Sequence, residues 1–456
     1  MGELIRKVAE APAIALEKTV EAAESAAHAL VEQRSLKQAG EFWKMLGPGL
    51  TTGAADDDPS GIATYSQAGA IYGFQLLWLA VFTFPLMATV QEMCARIGLV
   101  TGRGLASNIR RQFPPQVLVI TTTFLLAANT FNIGADLGAM AKAVQLLVPH
   151  ASYIWLIVLF ATGSVLLQVF TAYERFAKYL KWLALILFSY VVSALLAQPN
   201  WSEILKATLI PRIDGSKDQI ILITAILGTT ISPYLFFWQT SQEVEGQISE
   251  GNTTVAQRQH ISSSSIKSMR IDVWSGMFLS NVAMFFIIAS AASVLFVHGV
   301  GTTITTAADA AAALRPFAGN AAYLLFAVGI IGTGLLAIPV LAGSSSYAIA
   351  ESFRWHAGLH RTLKDAYGFY GVIIISMAVG MLLNFIGLDP IKALIYSAVA
   401  NGVVAPVILT LIVLLSSNRH IMGKNRNAPL VTWSGWALVA LMFVAGVAAV
   451  YSLIHG

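Results

Sequence analysis

Apolar blocks of about 20 to 30 residues recur along the chain, parted by short polar stretches, and a helix needs about 20 residues to cross a bilayer. Eleven spans are predicted, over 45–67, 70–98, 117–146, 153–171, 178–197, 219–242, 272–297, 321–349, 368–387, 391–416 and 431–454. The pattern is that of an all-α polytopic membrane protein. Two spans carry polar interruptions. The first contains TTGAADDDPSGIATYSQ (51–67), with three consecutive aspartates and a proline inside an otherwise apolar run. The sixth contains ILGTTISPYLFFWQTSQEVE (226–245), with Pro233 near its centre.

A proline inside a span frees a backbone carbonyl, tolerated only where something else satisfies that group. Spans one and six are five apart. That is the spacing of two inverted five-helix repeats, 44–218 and 219–417, followed by an eleventh span in 418–456. In transporters built this way the first helix of each repeat is broken, and the breaks meet near the bilayer midplane. Unwound backbone offers carbonyl oxygens, helix half-ends offer partial charge, and the aspartates supply counter-charge for a cation. The competing reading puts Asp56–Asp58 in water at the end of a shorter span. A charge at depth is costly unless it is functional, and 45–55 is almost uncharged, which favours the buried reading.

Composition sharpens the class. The chain is 56% hydrophobic and 11% charged, against about 25% charged in a soluble domain. Residues 1–43 are Ala/Glu/Lys-rich and lack the apolar core of a signal peptide, so a cytosolic, partly helical tail is expected there. With the N-terminus inside, 22 of the 28 Lys and Arg residues fall in the tail and inner loops, leaving Lys142, Lys206, Arg212, Lys217, Arg315 and Lys392 outside. Eleven spans then put the C-terminus outside. One cysteine, Cys94, excludes an intramolecular disulfide. The net charge of +4 does not point to nucleic acid, because the basic residues hug span ends.

The run GPGLTTGAADDDPSGIATYSQAGAIYGFQLLW (47–78), followed by ARIGLVTGRGLA (95–106), resembles the NRAMP divalent-metal transporters. Those carry a GPG start, a DPGN break in span one and an ARLGIVTGR-like exit from span two. GTTISPYLFFWQT in span six resembles their GATVMPHNLYLHS segment, and LAGSSSYAIAESF (341–353) resembles their span eight less closely. The resemblance implies a LeuT-type inverted 5+5 helix repeat with an eleventh transmembrane helix. It makes Asp58 the metal-binding carboxylate and places backbone carbonyls of Ala55 and Thr229 towards the metal. Gly61 replaces the family's ligand asparagine, and Ser232 replaces its ligand methionine. Tyr234 and Gln239 replace two histidines. Asp136 matches the first acid of a D-x-x-E pair linked to proton movement, with Ala139 in place of the glutamate. Ala398 stands for a site glutamine, with Asn401 about one turn on.

These departures share one chemical direction. A thioether favours softer transition metals, whereas carboxylate, carbonyl and water suit magnesium, calcium and manganese. Magnesium sheds water reluctantly and usually stays partly hydrated when bound. Asp57 and Asp56 add charge beside Asp58. No histidine lies mid-span, which removes the side chain that titrates near neutral pH. The set resembles the NRAMP-related magnesium transporters, a branch that lacks proton coupling.

The expected function is therefore secondary transport of a divalent cation, Mg2+ with Mn2+ tolerated, into the cytosol across the plasma membrane. A proton-coupled Mn2+/Fe2+ importer is the alternative, and a sodium-coupled solute symporter or a membrane sensor are more distant ones. No cofactor, enzymatic activity or nucleic-acid partner is expected; the partners are the cation and the bilayer, and the chain is expected to act as a monomer. Among lesser signals, Glu92 and Arg96 are spaced to pair on one helix face. Ser344–Ser346 read as packing residues, Glu243 and Glu245 as solvated end charges, and HISSSSIKSMR (260–270) as an inner linker.

Overall fold

Proline and glycine punctuate the chain, and several helices of the computed structural model start on a proline or stop at a glycine. The structure describes residues 40–43, 45–171, 173–196, 200–299, 307–386 and 390–455. The tail expected over 1–43 therefore lies outside the described residues apart from 40–43. Within the unit 1–46, residues 40–43 are helical and Leu46 N–H closes a turn on the Phe42 carbonyl. All that follows concerns the unit 47–456.

Helix α1, Pro48–Asp56, starts on a proline and ends at Asp57. Helix α2, Pro59–Tyr72, restarts on the next proline. Proline suits the first helical position because its missing N–H would have no partner there. Helix α3, Trp78–Thr101, stops at Gly102, whose left-handed backbone returns its N–H to Gly98 O. After the short α4, Leu105–Gln112, comes α5, Pro115–Leu147, the third span. Helix α6 is Tyr153–Phe170; α7, Tyr173–Leu183, and α8, Phe188–Leu196, are joined by a tight 3-10 turn and make the fifth span. Helix α9 is Trp201–Leu209.

The second half repeats the opening. Helix α10, Lys217–Thr230, breaks at Ile231 and Ser232, and α11, Pro233–Ser249, restarts on a proline. Helix α12, Ser263–Ala291, is followed by α13, Ala307–Phe353, kinked at Gly319, then by α14, Tyr367–Leu383, α15, Pro390–Ser417, and α16, Pro429–His455. Among the described residues nine helical stretches are long and apolar enough to cross a membrane. The broken α1–α2 pair and the shorter α14 occupy the two remaining predicted spans.

Close backbone contact holds the broken segments. A Cβ on Gly53 of α1 would lie 2.2 Å from the Gly276 carbonyl oxygen of α12, and one on Gly228 of α10 would lie 2.0 Å from the Ala398 oxygen of α15. Small residues permit such approach where helix pairs gain little from the hydrophobic effect.

Two expectations need correction. Residues 263–270 are not a linker but the first turns of α12, because Ser262 caps that helix by accepting from Ser265 N–H. Glu243 and Glu245 are buried, not solvated, because α11 continues past the predicted span end against its neighbours. Glu245 accepts from Tyr347 Oη at 2.7 Å, Leu359 N at 2.9 Å and pairs with His360 Nδ1 at 2.8 Å. The expected Glu92–Arg96 pair is present at 3.8 Å, and Glu92 also accepts from Arg270 Nη2 and Trp274 Nε1, both at 2.9 Å.

Candidate metal-binding site

Both breaks are built from one local device, a polar residue followed by proline. Proline pushes the preceding residue into extended backbone, and Asp58 (ψ 170°) and Ser232 (ψ 128°) obey. Each therefore becomes the residue on which a new helix is seeded. Asp58 caps α2 directly: its Oδ1 accepts from Gly61 N at 2.8 Å and from Ser60 Oγ at 2.6 Å. Ser232 points the other way, with its Oγ 2.6 Å from Thr229 O and 2.9 Å from Gly228 O at the end of α10. The last carbonyls of α10 are thus partly answered by the chain itself.

The three aspartates are buried, at 0%, 0% and 1% exposure for Asp56, Asp57 and Asp58, which overturns the placement in bulk water. Their carboxylates do not share one orientation. Asp58 turns to α5, where Asn132 Nδ2 donates to Oδ2 at 2.7 Å. Asp56 turns to α12, where Ser280 Oγ donates to Oδ2 at 2.8 Å. Neither Asp57 oxygen, nor Asp56 Oδ1, has a hydrogen-bond partner. Among the described residues no three His, Cys, Asp or Glu side chains form a ready-made metal cage.

The other sequence-derived candidates divide. Tyr234 donates its hydroxyl to Ala55 O at 2.7 Å, so a side chain in the first turn of α11 bolts onto the end of α1. Thr229 Oγ1 lies 3.5 Å from Asp58 Oδ1 and 3.3 Å from Ser60 Oγ. Gly61 contributes its N–H to Asp58; a Cβ there would sit 3.2 Å from Thr229 Oγ1. Gln239 donates to Glu243 Oε1 at 2.8 Å, within its own helix. Asp136 and Asn401 are buried with no partner on either side-chain oxygen or nitrogen. Ser344 and Ser345 join helices, to Tyr234 O and Asn129 Nδ2 respectively, and Ser346 donates to Phe369 O.

Several residues of the site escaped the sequence reading. Asn132 and Asn129 share the face of α5 that carries Asp136, at offsets of three and seven from Asn129, and that spacing in an apolar span was the available signal. Ser280 and Ser397 carried no signal, being ordinary small residues in spans. Asp272 of α12 accepts from Gly47 N and Gly49 N at 2.7 Å and from Leu50 N at 3.1 Å, so it anchors the positive end of α1.

The model of the family described as natural resistance-associated macrophage protein-like (Nramp) matches residues 49–452. The chain belongs to the Nramp family. It is similar to the divalent metal cation transporter MntH of Aeromonas hydrophila subsp. hydrophila, 26% identical over 87% of this chain and 93% of that protein. MntH of Deinococcus radiodurans is 26% identical over 90% of each. Among solved structures, the Eremococcus coleocola manganese transporter superposes with a TM-score of 0.70 at 20% identity, covering 91% of this chain and 87% of that one. The nucleobase-cation symporter Mhp1 does so at 0.55 and 16% identity, covering 89% and 90%. The fold is thus that of the LeuT-type transporters, and this Nramp chain is a multi-pass plasma-membrane transporter rather than an enzyme.

Proposed function

We propose that this Nramp protein, a divalent metal cation transporter, carries magnesium into the cytosol as a partly hydrated ion, tolerates manganese, and does so without moving protons. The observation that carries this reading is the set of buried, unpartnered acceptors at the span-one break: both Asp57 oxygens and Asp56 Oδ1. Such groups are rare in folded interiors and mark places where water or an ion is accommodated. No thioether or imidazole replaces the family's softer ligands, since Ser232 and Tyr234 hold those positions and spend their hydroxyl protons on backbone carbonyls. Oxygen donors and retained water suit a hard cation. Alternating access would come from rocking of the spans in 44–218 against those in 219–417 about the breaks.

A proton-coupled carrier of manganese or iron is the second reading. Asp136, one helical turn from the Asn132 that holds Asp58, is the observation in its favour, because an intramembrane carboxylate can relay protons. Uptake into proteoliposomes separates the two. Magnesium and manganese are expected to enter while internal pH stays flat, and cadmium is expected to enter poorly. Strong cadmium uptake with internal acidification would support the second reading and reject the first.

A further inference from the structure

Helix α5 carries a polar stripe through the middle of the protein: Asn129, Asn132 and Asp136, each fully buried. Asn129 ties it to α13 through Ser345 Oγ, at 2.9 Å, and Leu341 O, at 3.2 Å. Asn132 lies between two other helices. Its Nδ2 donates to Asp58 Oδ2 at 2.7 Å, and its Oδ1 accepts from Ser397 Oγ of α15 at 2.7 Å.

The direction of this ladder is forced from one end. A carboxylate only accepts, so the amide must present its NH2 side to Asp58 and its oxygen to Ser397. Ser397 must then donate, although its single proton also has the Leu394 carbonyl within 2.8 Å. Asp58 Oδ1 is already held by Gly61 and Ser60. With Oδ2 held by Asn132, the carboxylate has one orientation, and the lone pair left on Oδ2 has one direction. Next to Ser397, Ala398 brings no polar side-chain atom, so Ser397 is the side chain by which this part of span ten reaches Asn132.

We propose that Asn132, itself oriented by Ser397, is the positioning residue that aims the Asp58 carboxylate at the transported cation and links that carboxylate to span ten. The inference rests on the transport reading above. Initial uptake rates in proteoliposomes, with whichever of magnesium or manganese the wild type carries faster, test it. Asn132→Leu is expected to raise KM about tenfold, as loss of a hydrogen bond to a charged group would, while Vmax stays within about twofold. Ser397→Ala is expected to raise KM in the same direction, Ser397→Thr to restore it, and the double variant Asn132→Leu/Ser397→Ala to be no worse than Asn132→Leu alone. Unchanged KM in both Asn132→Leu and Ser397→Ala, equal behaviour of the alanine and threonine variants, or additive effects would overturn the proposal.

A second measurement needs no ion. Melting in detergent of Asp58→Asn, Asn132→Leu and the pair should show losses that do not add. Additive losses would also overturn the proposal. A wild type that carries no divalent cation would reject the transport reading, and the melting cycle would still decide the role of Asn132.

Discussion

Asp58 does two things at once: it caps α2 through Gly61 N–H, and it brings negative charge to the break. The two are separable because an amide oxygen caps a helix as well as a carboxylate does. Asp58→Asn should therefore fold with the α2 cap intact, melt lower only by the lost hydrogen bond from Asn132, and lose uptake. Asp58→Ala should lose uptake and about 1 kcal/mol of stability as well. Uptake at the native level in folded Asp58→Asn would place the site elsewhere. A second prediction concerns softness. Ser232→Met with Gly61→Asn adds a thioether and an amide oxygen at the break, and calorimetry should show tighter cadmium binding. The gain has a cost, because a Cβ at residue 61 meets Thr229 Oγ1 at 3.2 Å and Tyr65 Cε2 at 3.3 Å. It also deprives the α10 carbonyls of the Ser232 hydroxyl. No gain in cadmium affinity would count against these positions as ligands.

At the scale of the element, α1 is the shorter half of the broken first span. It is nine residues long, too short to persist alone in water, and it leans on α12 through Gly53 and Gly276. Its N-terminus is fixed by Asp272, which satisfies three N–H groups that a free helix end would leave orphaned. Asp272→Ala removes all three acceptors at a buried position, so α1 should swing away from α12 more often. A reporter cysteine at Thr51, in a Cys94→Ala background, should label with maleimide faster in the Asp272→Ala variant than without it. Equal rates would mean that glycine packing alone holds the helix. At the corresponding start of α10, Ser216 caps its own helix by accepting from Gln219 N–H at 3.3 Å.

For the molecule as a whole, Cys94 gives a probe of global opening. It is fully buried, and Thr240 of α11 hydrogen-bonds its carbonyl at 3.2 Å, so α3 and α11 must part before a reagent reaches the sulfur. A thiol-reactive dye should stay silent during heating until one cooperative transition; early labelling would show that α3 and α11 separate in the native state. The spans, their order and the two breaks were legible in the chain because lipid demands long apolar helices and proline cannot continue one. Asp58, Pro59, Ser232 and Pro233 act through neighbours one to four residues away, and local chemistry of that kind is written in order along the sequence. Which groups answer these buried polar atoms was not, since Asn132 and Ser280 reach the aspartates, Ser397 reaches Asn132 and Asp272 reaches the start of α1 across 74 to 265 residues of chain. The burial of Glu243 and Glu245 belongs with these. A polar atom in a low-dielectric interior takes whatever partner packing brings within about 3 Å, and that choice exists only once the helices have docked.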